Sequence, residues 1–440
     1  MTATTTPGPA MDATTATEPC GCTGFSIDRR RFLASAAALT GAVAGAQMFG
    51  DSFRQVAYGA ETGNNVLVVL SMRGGADGLS MVVPRGADWD TLSAARPGIV
   101  VPKASLVGGD TNFGLHPAFA PLVPMWNAGT FGAVHAVGLP APNRSHFDAM
   151  EAIEDASVND SLRVGWINRT VGVTSGAVPE TAMQLGTVLL PTSLTGPAPA
   201  LGASQLADLA LVPLDSNANQ APRQASINAM WAGHTDEAGN SVRDALGTVN
   251  RLAPLVTRAA VKDTTILNPA NYPTGALQSV LSNTAALIKA DVGAKFITVD
   301  YGNWDMHQGL GTVSSGWMLT QVTHLAASLK AFFDDLGTAA TRVTVVTMSE
   351  FGRRVAQNGS AGLDHGYGNV MLTLGAGVAG GTVKGEWPGL STLNQGDLAV
   401  RTNFQSVLWE VIANRFPALS GQKATIFPDL AVPQTIGTMS

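Results

Sequence analysis

Cysteine is nearly missing from this 440-residue chain: there are two, Cys20 and Cys22. Both precede a stretch of small apolar residues, Ala34 to Ala46, so a chain cut after that stretch has neither a disulfide nor a thiolate to offer. Charge is scarce as well. Only 13% of residues are Asp, Glu, Lys or Arg, the net charge is −6, and no basic cluster stands out, which excludes a nucleic-acid partner. No apolar run reaches the roughly 20 residues that a membrane-spanning helix needs, so no stable transmembrane anchor is expected. The chain also lacks an internal repeat, a charged tail and the G-x-S-x-G elbow of many serine esterases. What remains is a chain 45% hydrophobic, long enough to bury a large core.

The leader carries an address. Ser26-Ile27-Asp28-Arg29-Arg30-Arg31-Phe32-Leu33 sets paired arginines and Phe-Leu ahead of Ala34 to Ala46, the pattern of a twin-arginine export signal. Ala44-Gly45-Ala46 fits a cleavage site, with Ala57 to Ala60 as a later alternative. The expected organisation is a signal peptide over residues 1–46, a linker over 47–63 and one domain over 64–440. The twin-arginine translocase is then a transient partner, and the destination is periplasmic, cell-envelope or extracellular.

Beyond residue 63, apolar runs alternate with helical periodicity. Asn65 to Met72 (NVLVVLSM) reads as a buried strand running into Arg73-Gly74-Gly75-Ala76-Asp77-Gly78, and Phe131 to Val137 as a second strand. HFDAMEAIEDA reads as a helix with Ser145 as N-cap. TGALQSVLSNTAALIKAD reads as another, before the strand KFITVDY. The amphipathic stretch Met318 to Leu336 leads into RVTVVTM, and NVMLTLG is a further strand. Residues 156–272 are rich in Ala, Pro, Ser and Asn, give weak signals, and are expected to be a cap or insertion. The alternation predicts an α/β domain with a mainly parallel sheet covered on both faces.

Polar residues collect just past the strand ends, where open α/β sheets bind ligands: Arg73 and Asp77, Asp305 and His307, Glu350 and Arg353, Asp364 and His365. Asp305-Met306-His307 suits either a metal ion or a hydrogen-bonded surface pair. Glu350 reads as a ligand or general base, and Arg353 and Arg354 either clamp an oxyanion or form salt bridges. Ser145 is open between N-cap and nucleophile, and His146 between ligand, acid and packed histidine. His116, His135, His234 and His324 read as structural. Gly375 to Gly380 matches a dinucleotide fingerprint in form, but the turn-rich Gly381 to Gly389 that follows cannot be the required helix.

Taken together, LSMRGGADGLSMVVP, GLHPAFAPLVPMW, RSHFDAMEAIE, GWINR, WDMHQG, MSEFGRR and LDHGYGNVMLTLGAGVAGGTVKGEWPGL resemble the bacterial domain-of-unknown-function family 1501 over about Asn64 to Pro417. That resemblance implies an alkaline-phosphatase-like three-layer sandwich and a hydrolase of phosphate or sulfate esters acting on a small or polymeric anionic ester. It implies one divalent metal (Zn, Mn, Ca or Fe) on Asp305, His307 and His365, with Asp364 alongside. Arg73, Asp77, His146 and Arg353 would meet the substrate, Ser145 would attack, and Glu350 would ligate or act as base. Phe351 stands where the resembled superfamily places a ligand histidine, so the second metal site is not expected. Two alternatives follow: a degenerate member that binds an anionic glycan or a partner protein, and a metal-independent serine esterase.

Overall fold

The computed structural model describes residues 64–157, 163–210 and 220–440. The export signal and linker expected over residues 1–63, and parts of the middle segment, lie outside the described residues. The first strand shows why the fold forms. β1 (Val66–Met72) is apolar almost throughout and buried along its whole length. Its side chains alternate between two cores, Val66, Val68, Leu70 and Met72 facing one and Leu67 and Val69 the other. A strand buried on both faces belongs at the centre of a sheet, and each fully buried Val, Leu or Met there contributes on the order of 1.5–3 kcal/mol.

The other strands of this sheet are β2 (Phe131–Gly138), β3 (Ala182–Leu185), β4 (Leu201–Ala203), β5 (Phe296–Tyr301), β6 (Val343–Met348), β7 (Asn369–Gly375), β8 (Val383–Lys384) and β9 (Thr402–Asn403), while Val82–Pro84 and Phe113–Leu115 pair as a separate antiparallel ribbon. The order in the sheet is β8-β2-β7-β6-β1-β5-β3-β4, with β9 also paired to β2. Pairing is parallel except at β7, which runs against both β2 and β6.

Helices cover both faces, so the domain is a three-layer α/β sandwich. On one side lie α1 (His146–Asp155), α2 (Trp166–Gly172) and α7 (Phe404–Arg415), burying Ile153, Trp166, Val407 and Val411. On the other lie α5 (Ala276–Ala290) and α6 (Trp317–Leu336), burying Leu281, Ala285, Leu325 and Phe332. The expected strands and helices appear within a residue or two of where periodicity placed them. The middle segment contributes β3 and the edge strand β4 to the sheet itself, then the helices α3 (Gln220–Trp231) and α4 (Glu237–Ala260). No helix among the described residues is long and apolar enough to cross a membrane.

Candidate metal centre

The carboxyl ends of β1, β5 and β6 lie side by side, and the loops leaving them touch. Two glycines after β1 permit this. Gly74, at φ +115°, passes so close to the β5 loop that a Cβ would lie 2.7 Å from the Asp305 amide nitrogen. Gly75, at φ +72°, would meet the Phe351 ring at 2.5 Å. Their amides turn inward onto the Glu350 carboxylate, at 2.6 and 3.0 Å. Ser349 Oγ reaches the same group at 3.2 Å. Glu350 is therefore a buried, fully engaged acceptor rather than a free base.

One further contact gives Glu350 its role. His146, the first residue of α1, approaches Glu350 Oε1 through Nδ1 at 3.2 Å. The same pattern recurs for two other imidazoles. His365 Nδ1 lies 2.8 Å from the Arg144 carbonyl oxygen, and His307 Nδ1 lies 3.3 Å from Asp364 Oδ1. A carbonyl oxygen can only accept, so His365 Nδ1 carries a proton and a neutral His365 presents a lone pair at Nε2; His146 and His307 face a carboxylate through both ring nitrogens, and a bound cation would select the tautomer that leaves Nε2 free. Those Nε2 atoms converge on Asp305 Oδ1: His307 at 3.0 Å, His365 at 3.3 Å and His146 at 3.5 Å.

His146, Asp305 and His365 offer ligand atoms that all lie within 4.8 Å of one another. Tetrahedral bonds of 2.0–2.1 Å place neighbouring ligand atoms about 3.3–3.4 Å apart, close to the two distances these imidazoles make with Asp305. His146 Nε2 is buried without a hydrogen-bond partner. His307 Nε2 and His365 Nε2 stand 2.9 Å apart, where two lone pairs repel unless a proton or cation lies between them. The donor set thus fits a divalent ion, with the second nitrogen of each histidine held as outer partners of metal ligands usually hold it.

The electrostatics agree. Burial, together with the nearby Arg353 and the neighbouring His146 ring, holds His365 below the usual histidine range against the hydrogen bonds to the Arg144 carbonyl and Asp305, which favours its neutral form. Burial pushes Asp305 up, but the hydrogen bond and charge of Arg353 outweigh it and keep the carboxylate ionised. Phe351 forms the wall behind the cluster, its ring centroid 5.0 Å from His146 and 4.6 Å from His365. A short antiparallel pairing of Arg353 with His365, with Arg354 N on Asp364 O at 3.0 Å, brings the last imidazole to the β6 loop.

Sequence 111–406 matches the model of the family described as "Protein of unknown function (DUF1501)", more than half of the 440 residues. The chain belongs to this family. No curated protein matches the DUF1501 chain. Among solved structures it is similar to the alkaline phosphatase of the Antarctic bacterium TAB5, with a TM-score of 0.25 and 9% identity over 72% of this chain and 93% of that one. It is also similar to the integral membrane protein lipooligosaccharide phosphoethanolamine transferase A of Neisseria meningitidis, with a TM-score of 0.27 and 9% identity over 80% and 57% of the two chains. Likeness at this level carries no argument about what the DUF1501 chain does.

The expected site residues divide into those that gather and those that do not. Asp305, His307 and His365 meet. His146, expected to touch substrate, joins the three-residue ligand group, whereas Asp364 sits outside it and orients His307, aided by Asn358 at 2.9 Å. Both expected anion clamps are engaged elsewhere. Arg73 pairs with Glu154 at 2.7 Å and Asp300 at 2.8 Å. Arg353 is buried, donating to the carbonyls of Gly74, Gly75 and Leu363 and to Asp305 at 2.7 Å. Asp77 is sealed against Arg96. Ser145 caps α1, its Oγ accepting from the Asp148 amide at a long 3.4 Å. Sequence reading missed Arg144, whose contribution is a backbone carbonyl and leaves no trace in residue type. His116 and His135 are structural as expected, both buried and pushed by burial down to about 4.

Proposed function

We propose that this is a metal-dependent hydrolase of anionic esters, phosphate or sulfate, holding one divalent ion on His146, Asp305 and His365 with His307 beside them. The observation that carries the reading is the buried, unpartnered His146 Nε2 aimed at the oxygen that His365 Nε2 and His307 Nε2 also approach. A donor set dominated by imidazole favours zinc, iron or another nitrogen-seeking ion and disfavours calcium, which takes oxygen ligands. The ester class rests on the family resemblance in the sequence. The bound ion supplies Lewis acidity toward an ester oxygen.

The chain's own residues then do the rest. Glu350, Asp364 and the Arg144 carbonyl hold the imidazoles in the ligating tautomer. Arg353 keeps Asp305 ionised while locking the three loops together. Ser145 would supply the attacking hydroxyl, its Oγ bonding to phosphorus or sulfur as the ester's bond to its alcohol oxygen breaks, with the hydroxyl proton passing to the departing alcohol; it precedes His146, sits at the amino end of a ten-residue helix that favours an anion, and its cap bond is long. The exported location belongs to this reading, on the strength of the twin-arginine motif alone.

Elemental analysis of the purified protein and turnover on 4-nitrophenyl phosphate and sulfate test it. Stoichiometric metal and chelator-sensitive turnover are expected, both lost by more than about 100-fold in His365→Ala, since changes to mere outer partners of ligands already cost 10–100-fold. Ser145→Ala should retain the metal and lose turnover. A metal-free, chelator-indifferent protein would sink the proposal. A second reading, a non-catalytic member binding an anionic glycan or a partner protein, draws on the internal engagement of Arg73 and Arg353; stoichiometric metal with no turnover on any ester would favour it.

A further inference from the structure

The loop that delivers His146 is anchored by an unusual ion pair. Arg144 Nη2 donates to Asp397 Oδ2, and Asp397 is fully buried. The pair is single-pronged: Arg144 Nε and Asp397 Oδ1 are both buried without a hydrogen-bond partner, and Arg354 Nε comes no nearer to that oxygen than 3.9 Å. Arginine and carboxylate selected for binding strength dock two prongs in parallel, and a buried pair with unsatisfied atoms is poor evidence for a stabilising role. The pairing has a positional consequence instead. The Arg144 backbone carbonyl is the acceptor for His365 Nδ1 at 2.8 Å, and two residues on is His146.

We propose that the Asp397–Arg144 clasp is a positioning device that sets the tautomer of His365 and the approach of His146, so that one buried carboxylate governs two of the three imidazoles at the cluster. The inference deepens the metal-centre reading and rests on it for its consequence, although not for its geometry. Asp397 lies in a tight turn closed by reciprocal backbone hydrogen bonds with Asn394 at 2.9 and 3.0 Å, and the neighbouring Leu398 carbonyl accepts from Gly368 at 2.9 Å, just before β7. The clasp is therefore tied to the same rigid strand that follows His365. Release of Arg144 frees the 143–146 loop, His365 Nδ1 loses its acceptor, and the proton redistributes between the two ring nitrogens.

The test uses the full chain, with ¹⁵N-labelled histidine, and reads the ring-nitrogen spectrum of the metal-free protein together with zinc affinity by competition against a chromophoric chelator. The wild-type protein should show His365 protonated at Nδ1. Asp397→Ala should give a mixed tautomer and weaken zinc binding about 10–100-fold, the range for loss of an outer partner. Asp397→Asn, which keeps the shape and removes the charge, carries the test if the alanine variant does not fold. Arg96→Met serves as the control for simple destabilisation and should leave both tautomer and zinc affinity unchanged. An Nδ1-protonated His365 retained in both Asp397 variants, or an Nε2-protonated His365 in the wild type, overturns the inference. Absence of zinc binding in the wild type defeats the metal-centre reading alone, because the tautomer measurement still decides the clasp.

Discussion

Two carboxylates close to the same strand ends, Asp77 and Asp305, each meet a buried guanidinium, and they end in opposite conditions. Arg96 grips Asp77 through both Nη atoms, at 2.5 and 3.0 Å, and the Ser80 amide adds a third donor at 3.0 Å. Arg96 spends its other donors on the carbonyls of Val355 and Arg354, at 2.8 and 2.9 Å. Every charge there has a partner, and the pair is closed to solvent. Asp305 is half-exposed, takes a single prong from Arg353 at 2.7 Å, and faces three imidazole Nε2 atoms, of which that of His146 is buried without a hydrogen-bond partner. The difference separates a bolt from a site. A carboxylate saturated by hard donors holds loops together, whereas one ringed by imidazole nitrogens can take a positive ligand.

The largest way to break that contrast is Arg96→Met, which strands a buried carboxylate. The expected loss is about 3–5 kcal/mol, because removal of one partner leaves the other charge uncompensated. Urea titration should show it, with the metal content of the folded fraction unchanged. Equal losses of stability and metal would mean that bolt and site are one unit.

A smaller effect follows from acid. Burial pushes Asp77 up, but the charge and hydrogen bonds of Arg96, with help from Ser80 and Arg353, hold its carboxyl below the usual range. A group whose folded value is depressed stabilises the fold above its unfolded value of about 4, and that contribution disappears as pH falls through the folded value. The urea midpoint of the wild type should therefore fall below about pH 4, and Arg96→Met should flatten that acid-side slope. An unchanged slope in the variant would assign the acid sensitivity to other carboxylates.

Much of this was open to reading and some was not. The strands were legible because residues such as those of β1 are apolar on both faces, which leaves few alternatives to a central position. Asp305, His307 and His365 were legible as a group because strand ends in a parallel sheet face one crevice. His146 was harder. Its Glu350 partner is 204 residues away, and residue type alone cannot separate a ligand from a packed histidine. The fate of Arg73 was hidden for the same reason, since an arginine beside a glycine turn looks like an anion clamp until Asp300 and Glu154 are found against it. β3 and β4 escaped because four and three residues are too few to show a period.

The finest test concerns Asp364, which touches the cluster only through His307. Its carboxyl is held low, first by the Asn358 hydrogen bond and then by His307, so it is ionised across the neutral range and offers an acceptor to a proton on His307 Nδ1, the tautomer a metal at Nε2 would require. Asp364→Asn keeps the shape and offers an amide oxygen to the same proton. Half-exposure screens the lost charge, so the effect belongs at the low end for an outer partner, about tenfold in metal affinity, or about 1.4 kcal/mol. The His146–Asp305–His365 group does not include Asp364, and on that basis the variant keeps stoichiometric metal. A loss as deep as that of His365→Ala would make Asp364 a direct ligand and move the centre outward, toward the exposed pair His307 and Asp364.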